Sequence, residues 1–369
     1  MNVRLIRLSA DAWYHPEPIP EGVVGHFDFP LVTLTTDEGI EGHSMEYCPL
    51  GQGPGSATQL VDIFAVELLG KDPLRHEAIW QTLRMKQRHL YNVTPTLWST
   101  IDVALWDIKG KVAGQSIAMM MGGLRDRIPA YATCPPQTIS TVEAVAQQVA
   151  SKKAQGFSGV KLQLSGGSHL DIPRLIKARE VAGDGFPLMV DSSAVLTFED
   201  ALKIGHVLDE LKYEWFEEPF PDAHVLQLRK LAHDISTPIL AGETVGLFEL
   251  AHYLADGAID IARADAHHKC GITGMIKALG MCEILGYELE IHTASTPLMD
   301  LANLHCAGGT RLSRFVESHH DMFRFGLKSD PMKVHEDGCM HVPTGDGLGV
   351  EIDWDWMDDH TVETYSAKV

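Results

Sequence analysis

The spacing of three acidic residues constrains the fold of this chain more than any other feature. Asp191 closes the short apolar run PLMVD, Glu217 closes YEWFE and Glu243 closes PILAGE, and neighbouring acids are 26 residues apart in both cases. A strand, a helix and two loops fit that interval, which is the repeating unit of a parallel β/α barrel. Because the C-terminal ends of parallel strands meet at one face of a barrel, we expect the three carboxylates to converge there.

Converging carboxylates repel one another unless a cation lies between them. An oxygen-only ligand set suits Mg²⁺ better than Zn²⁺ or copper, so the spacing predicts a magnesium site formed by Asp191, Glu217 and Glu243. The alternative is three solvated or helix-capping carboxylates in ordinary βα loops. Glu218 follows Glu217 directly, and we expect its side chain to point the other way because strand residues alternate.

The alternation of strand and helix extends through the second part of the chain, from residue 128. The pattern favours parallel strands joined by helical crossovers. The sequence predicts eight strands, at 129–134, 159–164, 187–191, 213–217, 238–243, 259–264, 287–292 and 314–317. It also predicts seven helices, near 141–155, 169–183, 198–211, 223–234, 246–256, 271–285 and 297–307.

The first part of the chain has a different pattern. Residues 1–127 combine a hairpin turn at 37–39 with helical patterns at 56–69, 74–87 and 94–114. We therefore predict an α+β domain at 1–127, a barrel domain at 128–332, and a C-terminal segment at 333–369. That segment contains a β run at 349–353, which we expect to return to the first domain.

Composition excludes several classes of function. The chain has 369 residues and a net charge of −20, which argues against nucleic acid and anionic membrane surfaces as partners. Its six cysteines lack CxxC spacing, as expected of reduced thiols in a cytosolic protein. No signal peptide is visible, and no apolar run approaches the roughly 20 residues that span a bilayer. We expect a cytoplasmic protein.

A histidine and an aspartate stand at two further strand ends. Asp265 ends IARAD, and His292 ends ELEIH 27 residues later, again one β/α unit. A carboxylate at the neighbouring strand tip would orient the imidazole and stabilise its charged form, which makes a positioned base. The alternative is a histidine with a structural role only.

Three more polar residues are expected inside the barrel. Lys161 and Gln163, in GVKLQL, are two residues apart and therefore share one face of their strand. Lys161 would neutralise a substrate carboxylate or, alternatively, form an ion pair with a nearby acid. Glu317 ends RFVE, and it would act as a general acid if its pKa is raised, or else be a solvated loop carboxylate.

These residues suit one kind of reaction. A divalent cation that chelates a carboxylate stabilises the enolate formed when the neighbouring carbon loses a proton. A histidine on one face of the substrate then removes that proton. The combination predicts abstraction of the proton α to a carboxylate.

At this level of detail the sequence resembles the enolase superfamily, within its mandelate racemase/muconate lactonizing enzyme subgroup. The resemblance implies a modified TIM (β/α) barrel with an α+β capping domain. It implies that Asp191, Glu217 and Glu243 hold Mg²⁺, that His292 and Asp265 form the base dyad, and that Glu317 is an acid or electrophile. The matching stretches are STIDVALWDIKGK (99–111), MGG (121–123), VKLQ (160–163), VDSS (190–193), WFEEPF (215–220), LAGET (240–244), ADAHHKCGITG (264–274), EIH (290–292) and GLGVEID (347–353).

One position departs from the pattern of the family. Two-base members carry Lys-x-Lys on this strand, and here Lys161 matches the first lysine whereas Gln163 replaces the second. An amide cannot accept a proton at neutral pH, so a single base, His292, remains. This favours loss of water from a sugar acid to give a 2-keto-3-deoxy acid, with protonated His292 or Glu317 assisting the leaving hydroxide.

Other functions stay open at this stage. They are a racemase or epimerase with a different second base, a lactone or anhydrosugar cycloisomerase, and a metal-binding scaffold without catalysis. In the family the loops of the capping domain select the substrate, here 14–29 and 46–55. Tyr14, His26 and Tyr47, together with Gln163, are therefore candidate substrate contacts, and each loop residue could instead pack within its own loop. The resemblance also implies a homo-oligomer.

Overall fold

The structure is a computed structural model of the chain. It describes residues 1–9, 26–48, 51–87, 89, 94–164, 166–293, 295–319 and 324–368. Within these ranges no helix is both long enough and apolar enough to cross a membrane.

An antiparallel sheet forms the base of the capping domain. Its strands are β1 (Asn2–Ser9), β2 (His26–Thr35) and β3 (Glu41–Met45), and β1 also pairs with the last strand of the chain, Thr361–Ser366. The predicted β run at 349–353 contributes only one bridge, between Ile352 and Leu327. The helical segments of this domain are Gly53–Gln59, Leu60–Phe64, Ala65–Leu68, Pro73–Arg75, His76–Gln87, Pro95–Ala113 and Ile117–Met120.

The second part of the chain is a closed parallel barrel, as predicted. Hydrogen bonding between β11 and β4 closes the ring, with Val316 opposite Ala130 and Ser318 opposite Ala132. The barrel strands are β4 (Arg127–Cys134), β5 (Gly159–Gln163), β6 (Leu188–Asp191), β7 (Phe216–Glu217), β8 (Ile239–Ala241), β9 (Ile261–Ala264), β10 (Glu288–Ile291) and β11 (Val316–Ser318).

Helices connect consecutive barrel strands in the part of the chain that the structure describes. A 3₁₀ turn, Pro136–Ile139, precedes the first of them. They are Val142–Ala154, Ser168–Ala182, Phe198–Leu211, Val225–Asp234, Leu250–Ala255, Gly271–Leu285 and Pro297–Gly308. A short strand, Cys339–His341, pairs antiparallel with β4, and a last helix, Trp354–His360, precedes the final strand.

The barrel interior is filled at its N-terminal side by a small cluster of large side chains. Met189 and Trp215 lie two residues before Asp191 and Glu217, so strand alternation places the apolar and acidic side chains on the same inward face, one layer apart. Because this layer fills the N-terminal side of the barrel, the acidic side chains face the open C-terminal end, where a substrate can enter. The cluster comprises Tyr131, Met189, Trp215, Leu240, Ile261 and Phe315.

Buried hydrogen bonds fasten the capping domain to the barrel. Asp102, on the helix Pro95–Ala113, accepts bonds from the Thr273 backbone N–H (2.9 Å) and hydroxyl (2.7 Å). The same hydroxyl oxygen accepts a bond from Trp106 Nε1 at 2.8 Å. All three side chains are buried, so each depends on the others for its polar partners.

We expect Thr273→Val to destabilise the protein by about 2 to 6 kcal/mol. Valine keeps the shape and the backbone N–H, but the buried Trp106 N–H and Asp102 Oδ1 lose their partner, at about 1–3 kcal/mol each. Chemical unfolding measures the change. Thr82→Val is the matched control, because the Thr82 hydroxyl bonds only a carbonyl of its own exposed helix, and it should change stability by less than about 0.5 kcal/mol. Equal effects of the two variants would contradict this role for Thr273.

Candidate active site at the barrel mouth

The strand register brings the predicted acids to one rim of the barrel. Gln163 is the register partner of Asp191, and Asp191 is the register partner of Glu217. Glu243 lies two residues beyond the end of β8. The equal spacing in the sequence therefore corresponds to neighbouring positions in space.

Two buried cations lie among these acids. Lys161 Nζ is 3.3 Å from Asp191 Oδ2, 3.1 Å from Glu217 Oε2 and 3.0 Å from Glu317 Oε1. Arg263, on β9, has its Nε 3.0 Å from Glu217 Oε1 and an Nη bonded to Glu317 Oε2. Lys161 therefore forms the ion pairs that were the alternative role, and its contact with a substrate carboxylate stays a prediction. Arg263 was not predicted, although alternation along IARAD places it on the same inward face as Asp265.

The environment of Glu317 differs from the expectation. Burial alone would raise the pKa of Glu317, but the Lys161 ammonium and the Arg263 guanidinium hold it well below its usual range. The Thr133 hydroxyl also donates to Glu317 Oε1. These contacts favour the ionised form of Glu317, and its role as a general acid stays a prediction.

The predicted dyad is formed. His292 Nδ1 lies 2.8 Å from Asp265 Oδ2, and His292 Nε2 faces Glu243 Oε2 at 3.5 Å. Burial lowers the pKa of His292, but the charge of Glu243 and the hydrogen bond to Asp265 outweigh burial and raise it to about 9. The Nδ1 contact leaves Nε2 as the nitrogen that is open toward the acids of the mouth.

A second histidine shares the aspartate. His268 Nδ1 is 3.1 Å from both carboxylate oxygens of Asp265, and its backbone N–H donates to Oδ1 at 2.6 Å. Burial would raise the pKa of Asp265, but His268 and His292 together hold it well below its usual range. His268 was not predicted, because its position depends on the loop after β9.

The backbone at Glu218 departs from the strand alternation expected there. The strand ends at Glu217, and Glu218 has a φ of +40°, so alternation does not continue through it. Burial and the charges of Glu243 and Asp222 raise the pKa of Glu218 to about 9. Its buried Oε1 makes no hydrogen bond to any residue that the structure describes.

This excess of negative charge fits a divalent cation. Lys161 and Arg263 balance acids inside the barrel, whereas Glu243 contacts only the titratable His292 among the ion pairs of the described residues. Carboxylate oxygens are the donors that Mg²⁺ prefers. Among the described residues, however, the three candidate ligands that lie within 4.8 Å of one another are Glu243, Asp265 and His268. The assignment of Mg²⁺ to Asp191, Glu217 and Glu243 therefore stays a prediction.

The turn that carries Glu243 is held from two sides. The buried Lys269 Nζ donates to the carbonyls of Gly242 (2.9 Å), Glu243 (2.6 Å) and Val245 (2.7 Å). Asp222 accepts from the Gly242 N–H at 2.9 Å and from the Thr244 N–H at 3.1 Å. Lys269 and Asp222 thus fix the backbone on either side of a predicted metal ligand. Neither was predicted, because both act on loop backbone, which has no periodic pattern.

The candidate substrate contacts have other partners in the structure. Gln163 Nε2 donates to Asp191 Oδ2 at 3.3 Å. His26 Nε2 lies 3.6 Å from the buried Asp28, and Tyr47 packs against Phe29 with ring centroids 6.1 Å apart. Tyr14 lies outside the described residues. The contacts of these residues with a substrate stay predictions.

Two contacts bring the capping domain to the barrel mouth. Glu46, which follows β3, has its Oε1 3.4 Å from Nε2 of the buried His267, two residues after Asp265. The Thr296 hydroxyl donates to the Met45 carbonyl at 2.9 Å. The edge of the capping sheet is therefore joined to the loops that follow β9 and β10.

Comparison with known families agrees with this architecture. Residues 4–122 match the mandelate racemase/muconate lactonizing enzyme N-terminal domain, and residues 144–356 match the enolase C-terminal domain-like family. The chain belongs to the mandelate racemase/muconate lactonizing enzyme family of the enolase superfamily.

Several relatives that align over most of this chain act on sugar acids or their lactones. The chain is 29% identical to arabinonate dehydratase of Saccharolobus solfataricus over 347 residues, 91% of this chain and 90% of that protein. It is 28% identical to D-galactarolactone cycloisomerase of Agrobacterium fabrum over 341 residues, 88% of this chain and 89% of that protein. The structure of D-glucarate dehydratase from Agrobacterium tumefaciens complexed with magnesium superimposes with a TM-score of 0.83 at 26% identity, covering 98% of both chains. The relatives thus include acid-sugar dehydratases and cycloisomerases.

We expect Lys269→Met to weaken Mg²⁺ binding about 10- to 100-fold, the usual loss when a residue that orients a ligand is removed. Methionine fills the same space but leaves three carbonyls of the Glu243 turn without their donor. Titration calorimetry of the metal-free protein measures the affinity. Lys277→Met is the matched control, since Lys277 pairs with Glu77 on an exposed surface. Unchanged Mg²⁺ affinity in a folded Lys269→Met protein would contradict the positioning role.

Proposed function

We propose that this protein is a Mg²⁺-dependent enzyme that removes the proton α to the carboxylate of a sugar acid and eliminates water to give a 2-keto-3-deoxy acid. The observation that carries the proposal is the position of His292, fixed by Asp265 through Nδ1 and directed at Glu243 through Nε2. Membership of the family and the dehydratases among the relatives support it.

His292 is the proposed base. The charge of Glu243 is the main cause that raises the pKa of His292, so a cation bound to Glu243 would favour the neutral imidazole. Asp265 would then hold the ring so that Nδ1 carries the shared proton and Nε2 accepts the proton of the substrate. A divalent cation at Asp191, Glu217 and Glu243 would stabilise the negative charge that develops on the substrate carboxylate. The magnesium complex of the related D-glucarate dehydratase supports the choice of metal.

Gln163 favours elimination over two-base racemisation. Its amide donates to Asp191 and cannot accept a proton, so strand β5 offers no second base at this position. The leaving hydroxide then needs a proton from a group near the base. Protonated His292 suits that role better than Glu317, whose pKa is held low by Lys161 and Arg263.

A cycloisomerase is the second candidate, because a galactarolactone cycloisomerase is among the relatives. The proton abstraction would be the same, and the leaving group would be a ring oxygen instead of hydroxide.

The proposal predicts that the purified protein with Mg²⁺ converts at least one member of a sugar-acid library to a 2-keto acid. Semicarbazide trapping of the product measures the reaction. His292→Asn should lower the rate by about 10² to 10⁴-fold, the usual contribution of a general base. Incubation in D₂O should place deuterium at C3 of the product, where the enol intermediate is protonated.

The control is His233→Asn, because His233 also lies beside an aspartate, Asp234, but is exposed on the barrel surface. It should leave the rate unchanged. A lactone or anhydrosugar acid converted to a keto acid of unchanged mass would favour the cycloisomerase, because the ring oxygen stays on the molecule, whereas the dehydratase product is one water lighter than its substrate. An unchanged rate of sugar-acid turnover in His292→Asn would contradict the mechanism.

A further inference from the structure

The barrel mouth contains a second group of candidate metal ligands besides the predicted all-oxygen set. One ligand atom from each of Glu243, Asp265 and His268 lies within 4.8 Å of the other two. The His268 side chain is 28% exposed, so an ion from solvent can reach it. Asp265 is buried, so the group combines the accessible imidazole of His268 with the buried carboxylate of Asp265.

The donor atoms distinguish this group from the Mg²⁺ set. Asp191 and Glu217 offer only oxygens, which suits a hard cation. His268 adds an imidazole nitrogen, and mixed imidazole and carboxylate donors suit Zn²⁺ and similar borderline ions. His292 contacts both acids of the group, with Nδ1 2.8 Å from Asp265 and Nε2 3.5 Å from Glu243.

We infer that Glu243, Asp265 and His268 form a second cation site, which takes Zn²⁺ or a similar borderline ion and does not require Asp191 or Glu217. The present hydrogen bonds of His268 to Asp265 hold the imidazole beside the carboxylate, so little rearrangement is needed for both to bind one ion. His268 is the residue that makes this site distinct from the Mg²⁺ site.

Occupation of this site has a consequence for catalysis, which depends on the proposed function. An ion bound to the Asp265 carboxylate would weaken the hydrogen bond by which that carboxylate orients His292. Zn²⁺ should therefore inhibit α-proton removal, and His268→Ala should relieve that inhibition relative to the uninhibited rate of the same variant.

The direct test is calorimetric titration of metal-free protein with ZnCl₂. His268→Ala should weaken the site at least about tenfold, the lower end of the loss seen for disturbed metal ligation. Asp191→Asn should keep the Zn²⁺ affinity of the wild type while losing affinity for Mg²⁺. His233→Ala is the matched control, because His233 Nδ1 lies 3.1 Å from Asp234 but is 88% exposed, and it should bind Zn²⁺ like the wild type.

Zn²⁺ affinity unchanged by His268→Ala, or lost equally in Asp191→Asn, would overturn the inference. Co²⁺ gives a second readout, since its visible absorption responds to a nitrogen ligand; the wild-type spectrum should change on His268→Gln, a variant that keeps a polar side chain in case alanine disturbs the loop. An unchanged Co²⁺ spectrum would also count against the site. Both measurements are independent of catalysis, so failure of the proposed function would leave their outcome intact.

Discussion

The balance of charge inside the barrel governs the rest of this structure. Lys161 and Arg263 are both buried, and together they contact Asp191, Glu217 and Glu317. Removal of one partner from a buried ion pair leaves an uncompensated charge, so the two cations and three acids depend on one another as one unit. Among the ion pairs of the residues that the structure describes, Glu218 and Glu243, the acids closer to the mouth, have no lysine or arginine partner, and a divalent ion would relieve that imbalance.

The fold supplies the positions and the loops supply the fine geometry. Strand alternation stacks Trp215 beneath Glu217 and Met189 beneath Asp191, which closes the lower end of the barrel and directs the acids to the open end. The turn after β8 depends instead on Lys269, which ties three carbonyls together. A rigid scaffold and a clamped turn are what a site needs to keep charged ligands in place without a bound ion.

The sequence predicted the positions of residues that follow the spacing of the β/α units or the alternation along a strand. The equal spacing of Asp191, Glu217 and Glu243 predicted the barrel, and a spacing of 27 residues, again one β/α unit, paired His292 with Asp265. Arg263 could have been found from alternation along its strand. His268 and Lys269 could not, because they lie in a loop whose course depends on positive φ at Cys270 (+61°), a conformation with no periodic signal. Alternation is likewise no guide to the Glu218 side chain, since its own φ is positive.

A crystal structure with Mg²⁺ and an unreactive sugar-acid analogue would test most directly whether the acid-lined mouth places a cation beside the His292 base. We expect one Mg²⁺ bound by oxygens of Asp191, Glu217 and Glu243, with the carboxylate of the analogue on the ion and His292 Nε2 facing its α-carbon. Lys161 should remain in contact with Glu317. A cation bound away from these carboxylates, or a His292 ring turned away from the α-carbon, would contradict the assignment.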